Sequence, residues 1–298
     1  MSTTRMLIKR NVKLFFKDKA MFFTALITPG ILLVLYAVFL AGIYRDTFLS
    51  ALPLGLEIPQ SVIDGLVGGQ LLSSILAVSC VTVAFSSNFL MVQDRATGSA
   101  KDLFISPVKP SSVSFAYYIA TLFSTLLICY AATALCLVYI AVIGWYISFI
   151  DVLLLIVDVF ILVLFGTALS SIVSFFLSTQ GQISAVGSIV SSGYGFICGA
   201  YMPISSFGKG LRNVVSFLPG TYGTSLLRNH ATRGVLLEME SLGVPSDAID
   251  GIRSAIDCKI YFFNTSVKEP VMFVILTSAA LVLLGLYVLM NRTGKRGV

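Results

Sequence analysis

The sequence predicts an all-α integral membrane protein with six transmembrane helices. Hydrophobic residues make up 57% of its 298 residues and charged residues only 11%, whereas soluble domains carry about 25% charged residues. Backbone groups in lipid must be hydrogen-bonded within the spanning segment, which favours helices. Six apolar segments reach the roughly 18 residues needed to cross about 30 Å of hydrocarbon. They are residues 20–44, 67–91, 114–143, 150–177, 183–202 and 271–290 of a single domain, 1–298.

Residues 1–19 precede the first span and predict an amphipathic helix that lies at the membrane interface. Ile8, Val12, Phe15 and Phe16 share one helical face, and lysines and arginines occupy the other. A basic flank that only anchors the first span is the alternative. The apolar run that follows is longer than the 7–15 residues of a secretory signal and lacks a small-residue cleavage pattern, so we expect it to be retained.

A polar insert, residues 93–112, separates the second and third spans. Within it Ala100, Leu103, Phe104 and Pro107 fall at i, i+3, i+4 and i+7, a narrow apolar face flanked by charged side chains. This spacing predicts a short helix that lies in a groove of another protein.

Lysines and arginines concentrate in residues 1–19, in the 93–112 insert and in the C-terminal tail, which share one side in a six-span arrangement. By the positive-inside rule both termini and the insert are cytoplasmic. Attraction to anionic lipid explains the net charge of +6, so membrane lipid is an expected partner and nucleic acid is not.

The longest segment between spans, residues 203–270, is expected to form an extracellular helical region. Its acidic and basic residues are balanced, and long loops cross the membrane largely regardless of charge. Residues 211–218 and 222–227 are apolar enough to rest on the membrane or re-enter it, whereas residues 238–257 predict an exposed helical cap.

The chain offers no constellation for catalysis. It lacks the GxxxxGK[ST] nucleotide loop, and Ser206 and Lys209 match the short S-x-x-K pattern at a level expected by chance. His230 has no metal-spaced partner, and the five cysteines show no CxxC spacing. We therefore expect no catalytic residue, no metal site, no bound cofactor and no enzymatic activity in this chain.

Asp158 is an isolated carboxyl about 12 Å inside the fourth span if that helix begins at Ile150. Placing a carboxylate there costs about 2.5–3.5 kcal/mol on insertion scales, so it should face protein, water or a partner group rather than lipid. No companion is evident in the other spans, which favours a structural polar contact. A proton relay, and with it a proton-coupled transporter, is the alternative.

The second span is unusually rich in hydroxyl and amide side chains, among them Ser79, Thr82, Ser86 and Asn88. Hydroxyls can hydrogen bond to their own helix, so helix packing is the simplest interpretation. A water-filled path along this span is the competing interpretation.

Two motifs carry a resemblance to a known family. The first is an acid followed by Arg-x-x-Gly and then Leu-x-x-Ser-Pro, at Asp94, Arg95, Gly98, Leu103, Ser106 and Pro107. The second is Gly-x-x-x-Pro after the fifth span and then Pro-x-x-Tyr with an arginine six residues on, at Gly199, Pro203, Pro219, Tyr222 and Arg228. With these motifs the chain resembles the permease subunits of ABC transporters of the type-2 exporter superfamily.

The resemblance implies a dimer of permeases, either a homodimer or a homologous heterodimer, resting on two copies of an ATP-binding cassette subunit that binds ATP and Mg²⁺. It also implies a connecting helix at residues 6–16 and a coupling helix at 97–106. The residues expected to couple to the ATPase are Asp94, Arg95, Gly98, Leu103, Phe104, Ser106 and Pro107. Those expected to line a path between spans two and five are Ser79, Thr82, Ser86, Asn88, Ser191 and Tyr194.

The function that follows is ATP-driven export of an amphiphilic compound such as a drug, lipid, glycan or peptide. The chain would be a multi-pass protein of the plasma membrane, and a bacterial cell membrane is expected. Two alternatives stay open: a proton-coupled secondary transporter that uses Asp158, and a membrane sensor or immunity protein that binds an extracellular ligand through residues 229–268.

Overall fold

The computed structural model describes residues 3–51, 58–100, 108–263 and 265–293, which are almost entirely helical. Helices account for 84% of the structure, which agrees with the predicted all-α membrane class. Five helices within the described residues are long and apolar enough to cross a membrane. They cover Ala25–Asp46, Gln60–Ala96, Ser111–Ile143, Phe149–Phe176 and Glu269–Asn291.

The helices follow the chain in the order of the predicted spans, with a group of shorter elements before the last one. In chain order they are α1 Thr3–Lys17, α2 Lys19–Leu35, a π-helical turn Tyr36–Leu40, α3 Ala41–Ala51, α4 Gln60–Ala96, α5 Pro110–Ile143, α6 Phe149–Phe176, α7 Gln180–Ile197, a 3₁₀ turn Ile204–Ser206, α8 Lys209–Val215, α9 Pro219–Ser241, α10 Ser246–Ala255 and α11 Glu269–Thr293. A small antiparallel hairpin, β1 Ile260–Phe262 and β2 Thr265–Val267, pairs Ile260 with Val267.

Helix α4 is the centre of the bundle and is buried along most of its length. Helices α2, α5, α6, α7 and α9 pack around it, as expected for a helix that is apolar on every side. Glycines allow this close approach. A Cβ added at Gly69 would lie 2.7 Å from the carbonyl oxygen of Ala231 in α9, and one at Gly68 would lie 2.9 Å from Ile143 in α5.

Helix α7 corresponds to the predicted fifth span, but it ends at Ile197 and is not one of the five long apolar helices. A capping box starts it: the Thr179 hydroxyl accepts from the Gln182 amide, and the Gln182 side chain accepts from the Thr179 amide. It ends early because Gly199 turns the chain with a φ of 76°, a conformation that favours glycine. The count of six spans stays a prediction.

Residues 238–257, for which the sequence predicts an exposed helical cap, contain the end of α9 and all of α10, and half of them are exposed. Helix α9 packs against α4, α6 and α11, and the first half of α9 is buried. Helix α10 buries Ile249 and Ile252. The tight fit continues to Gly234, where an added Cβ would lie 1.8 Å from the Tyr146 carbonyl oxygen.

Candidate functional site

Helix α9 carries a fully buried arginine, Arg228, inside the helical bundle. Its Nη1 donates to Asp257 Oδ2 at 3.2 Å, and its Nη2 donates to the Gly199 carbonyl at 2.6 Å and to the Ser74 hydroxyl at 3.3 Å. Burying a charge costs several kcal/mol unless it is paired and hydrogen-bonded. Arg228 therefore fixes α9 to α4, to the turn after α7 and to the loop after α10.

Asp257 completes this arrangement by holding the turn that follows α7. Its Oδ2 accepts from the Ile204 amide at 2.5 Å and its Oδ1 accepts from the Ser205 amide at 3.1 Å. Burial raises the pKa of Asp257 above its ordinary value, while the charge of Arg228 and the two amides act in the opposite direction. Gly199 is required here, because an added Cβ would lie 2.7 Å from Ile204 Cγ1.

The structure brings the predicted signature after span five together around this ion pair. Pro203 precedes the 3₁₀ turn whose amides bind Asp257, and Pro219 is the first residue of α9. The Tyr222 hydroxyl donates to the Ser216 carbonyl at 2.6 Å, which closes the turn between α8 and α9. Gly199, Pro203, Pro219 and Tyr222 therefore lie at the two turns that flank α8, and Arg228 lies further along α9.

Two further side-chain contacts join α9 to α6. His230 Nδ1 lies 2.5 Å from Asp158 Oδ2, both side chains being buried, and Arg233 Nη2 lies 2.6 Å from Asp151 Oδ1. The partners run in opposite directions along the two helices, so α6 and α9 are antiparallel here. Asp158 therefore faces protein, as expected, but its companion is the histidine for which the sequence suggested no partner.

At the C-terminal end of α4, Asp94 joins α4 to two other helices, α1 and α5. Arg10 of α1 donates to Asp94 Oδ2 at 2.9 Å, and the Tyr117 hydroxyl of α5 donates to the same oxygen at 2.5 Å. The sequence assigned Arg10 to the outer polar face of α1, but Asp94 draws it inward. The most buried residues of α1 are Asn11, which is next to Arg10, and Phe15, which belongs to the predicted apolar face.

Arg95 makes the second connection at this end of α4. Its Nη1 donates to the carbonyls of Ser174, Phe175 and Leu177 at 3.0, 3.1 and 3.2 Å. These carbonyls belong to the last turn and the C-cap of α6, where carbonyls of the final turn lack the usual helical partners and where the helix dipole favours a cation. We call Asp94 and Arg95 with these partners the α4 clamp. Asp94 and Arg95 therefore make these contacts within this chain.

The clamp immediately precedes the predicted coupling helix. Gly98 has a φ of 82° and open space around the position of a Cβ, so it can act as a hinge. The other predicted coupling residues, Leu103, Phe104, Ser106 and Pro107, lie outside the described residues. Their contacts with an ATPase stay a prediction.

The residues predicted to line a path do not share one surface in this structure. Ser79, Thr82 and Asn88 are buried, Ser86 is half-buried, and Ser191 is exposed. Asn88 lies in a polar cluster, where its amide donates to Ser170 and Ser171 and its carbonyl accepts from Thr121. The Tyr194 hydroxyl is buried against Gly220, at 2.4 Å from an added Cβ.

Helix α7, in contrast to α4, leaves one long face uncovered. This face consists mainly of small and hydroxyl-bearing residues, and Gln182, Ile189 and Phe196 are exposed beside them. Its exposed members are Gly181, Ser184, Ala185, Ser188, Ile189, Ser191 and Ser192.

A family model described as "ABC-2 type transporter" matches residues 3–230. The chain belongs to the ABC-2 type transporter family. It is a permease subunit, a transmembrane domain rather than an ATPase, and permeases of this family generally work with an ATP-binding cassette subunit. A comparison with curated protein sequences gives no match.

The match to the ABC-2 permeases includes the α4 clamp and the signature up to Arg228 and His230, and it ends before Asp257. Arg228 thus lies in the part of the chain that the family model covers, while its acidic partner lies beyond it. One signal in the sequence could have indicated Asp257. A basic residue that is buried in a helix needs an acidic partner. Several acids in residues 238–269 met that need equally well.

Proposed function

We propose that this permease exports an amphiphilic compound, driven by ATP that a separate pair of ATP-binding cassette subunits hydrolyses with Mg²⁺. In the proposed arrangement both termini and the 93–112 insert face the cytoplasm of a bacterial cell. Two permease copies form the path, and the described end of the bundle that holds α8–α10 faces outward.

The α4 clamp is the observation that carries the proposal. Asp94 and Arg95 lie directly before the insert and connect α4 to α1, to α5 and to the end of α6. A force applied to the insert by a partner protein would therefore act on four helices together, rather than on one flexible loop. A permease that worked without a motor at this end would have no evident need for such a connection.

The exposed face of α7 supports a path between two copies. Small residues let helix backbones approach closely, and serine hydroxyls can contact the polar parts of a passing amphiphile. Ser191 lies on this face, whereas Ser79, Thr82 and Asn88 of α4 are enclosed. We propose that α7 lines the path in the described conformation and that the α4 hydroxyls reach it only when α4 and α7 separate.

Helix α9 is suited to close the outer end of that path. Two ion pairs and the contact between His230 and Asp158 fasten it to the loop after α10 and to α6, and it lies against α4 at Gly69. In this role α9 and α6 would move as one body when α4 moves, because the Arg233 and His230 contacts join them.

The buried pair of Asp158 and His230 also favours a second candidate, a proton-coupled transporter. The two candidates differ in their response to Asp158→Asn. Under our proposal an asparagine keeps a hydrogen bond to His230, so ATP-driven export should fall by less than about tenfold, the effect of roughly one neutral hydrogen bond.

The experiment uses proteoliposomes that contain the permease and its ATPase, loaded with a panel of fluorescent amphiphiles. ATP should drive export by both the wild type and Asp158→Asn, and a pH gradient without nucleotide should drive export by neither. Export that a pH gradient alone supports, and that Asp158→Asn abolishes, would replace our proposal by the proton-coupled one.

A further inference from the structure

A small cavity lies where α1 meets α4 and α5, close to the α4 clamp. All three helices line it: α1 contributes Asn11 and Phe15, α4 contributes Ser87, and α5 contributes Tyr117 and Ser124. About 10 Å³ of this cavity is open to the centre of a water molecule, which is roughly the space that one bound water occupies. The cavity therefore has the size of a water site rather than of a site for a lipid chain.

Two serine hydroxyls that line the cavity are buried without a protein partner. The side-chain oxygens of Ser87 and Ser124 have no hydrogen bond to any described residue, and the two residues are only 3% and 1% exposed. Burying a hydroxyl without a hydrogen bond is unfavourable, so buried hydroxyls are nearly always paired with protein or with ordered water. One such group from α4 and one from α5 border the same cavity.

Other buried hydroxyls of α4 and α5 are satisfied by their own helix. Thr82 of α4 and Thr133 of α5 donate to carbonyls one turn earlier in the chain, at 3.0 and 2.8 Å, which is the usual bond of a hydroxyl in a helix. Ser87 and Ser124 do not make this bond. Their hydroxyls are therefore available to an occupant of the cavity.

Two further polar side chains border the cavity. The Thr121 hydroxyl donates to Asn88 Oδ1 at 3.4 Å, and its oxygen can still accept a hydrogen bond. The carbonyl oxygen of Asn11 accepts from Arg10 at 2.8 Å, and its amide nitrogen can donate. A bound water makes about two to four hydrogen bonds. The two serines, Thr121 and Asn11 can supply that number.

We propose that this cavity binds an ordered water molecule that joins α1 to α4 and α5. The water bridges the hydroxyls of Ser87 and Ser124 and connects them to Asn11. The direct contact of Arg10 with Asp94 lies beside it. Helix α1 is thus attached to the bundle by one direct ion pair and by one exchangeable contact, and it can shift at the cavity while the ion pair persists.

Water fits this cavity better than an apolar occupant does. A lipid chain would leave both serine hydroxyls without a hydrogen bond, at the same unfavourable cost as in a dry cavity. The Arg10 side chain next to Asn11 is 32% exposed, so bulk water reaches the neighbouring position and can exchange with the bound molecule.

Oxidative labelling by X-ray radiolysis tests the proposal without any ATPase, so its outcome is independent of the proposed transport function. Radiolysis produces hydroxyl radicals from water, and a water held in a cavity labels the side chains beside it. The permease in nanodiscs is exposed to short pulses in ¹⁸O-labelled water, and mass spectrometry gives the oxidation rates of two buried tyrosines. Tyr117, 5% exposed, lines the cavity, and Tyr222, 2% exposed, does not.

We expect Tyr117 to be oxidised several times faster than Tyr222. Ser124→Val replaces the hydroxyl by methyl groups that fill the cavity, and it should lower the Tyr117 rate to that of Tyr222. Ser192→Val, the same change on the exposed face of α7, should leave the Tyr117 rate unchanged. Equal rates for the two tyrosines in the wild type would overturn the proposal. A Tyr117 rate that Ser124→Val does not lower would also overturn it, because the label would then come from bulk water.

Thermal unfolding of Ser87→Ala gives a second measurement that does not depend on filling the cavity. The reference is Ser192→Ala, which makes the same change at an exposed helical position. Losing a hydrogen bond to a bound water should lower the unfolding temperature by about 2–4 °C relative to that reference, whereas losing an unpaired hydroxyl should raise it. An unchanged or higher unfolding temperature would contradict the proposal.

Discussion

Arg228→Met abolishes export and strongly destabilises the purified protein, if Arg228 acts as its contacts indicate. The substitution leaves Asp257 without its buried cation and the Gly199 carbonyl without its donor. Removing one partner of a buried pair costs about 3–5 kcal/mol, a large part of the stability of most domains. The change is measured as a fall in the thermal unfolding temperature in detergent, together with loss of ATP-driven export in proteoliposomes.

An exposed ion pair of the same region provides the matched control. Lys259 lies 2.8 Å from Asp250, whose side chain is 62% exposed, and ion pairs at the surface contribute about 0–1 kcal/mol. Lys259→Met should therefore leave unfolding and export close to wild type. The double variant Arg228→Met/Asp257→Leu should regain part of the lost stability, since it removes both buried charges. Wild-type stability and export in Arg228→Met would show that the pair does not hold α9.

Arg95→Ala should uncouple ATP hydrolysis from export while the permease still folds. The guanidinium donates to three carbonyls at the end of α6, and a hydrogen bond to a charged group contributes about 1.5–3 kcal/mol. If this energy transmits the movement of the insert to α6, export per ATP hydrolysed should fall roughly ten- to hundredfold. Arg95→Lys should be only partly active, because one ammonium cannot match the planar guanidinium.

Lys109→Ala is the control for Arg95→Ala. Lys109 is an exposed basic residue at the far end of the insert, so its loss changes the net charge equally without touching the α4 clamp. We expect its ratio of export to hydrolysis to match that of the wild type. An unchanged ratio in Arg95→Ala as well would mean that the clamp has no part in coupling.

Local pattern was enough to predict most of the helices from the sequence. Long apolar runs mark five spans within the described residues whatever their neighbours are, and the basic start of the chain marks α1. The end of helix α7 was harder to predict, because it depends on a turn at Gly199. The left-handed φ of this glycine cannot be recognised from hydrophobic periodicity. The aromatic and β-branched residues of 260–267 favour strands and could have predicted the hairpin. The prediction of a helical region between the fifth and sixth spans did not use this signal.

The site was predictable only in part, since its contacts join residues far apart in the chain. The motifs identified Gly199, Pro219 and Arg228, but the choice of Asp257 among the acids of the loop depends on how α9 packs. Asp158 shows the same limit: its depth in the helix indicated a polar partner, and only the antiparallel placement of α6 and α9 identifies His230. The contact of Arg10 with Asp94 likewise depends on how α1 packs against α4 and α5.

The ATPase activity of the partner ATP-binding subunit, measured with and without this permease in nanodiscs, tests the central claim most directly. The account predicts that the subunit binds the permease and hydrolyses ATP faster in its presence, and that Leu103→Asp, which puts a charge on the apolar face of the insert, removes both effects without preventing membrane insertion. Export of cargo by the permease alone, without nucleotide or partner, would contradict it.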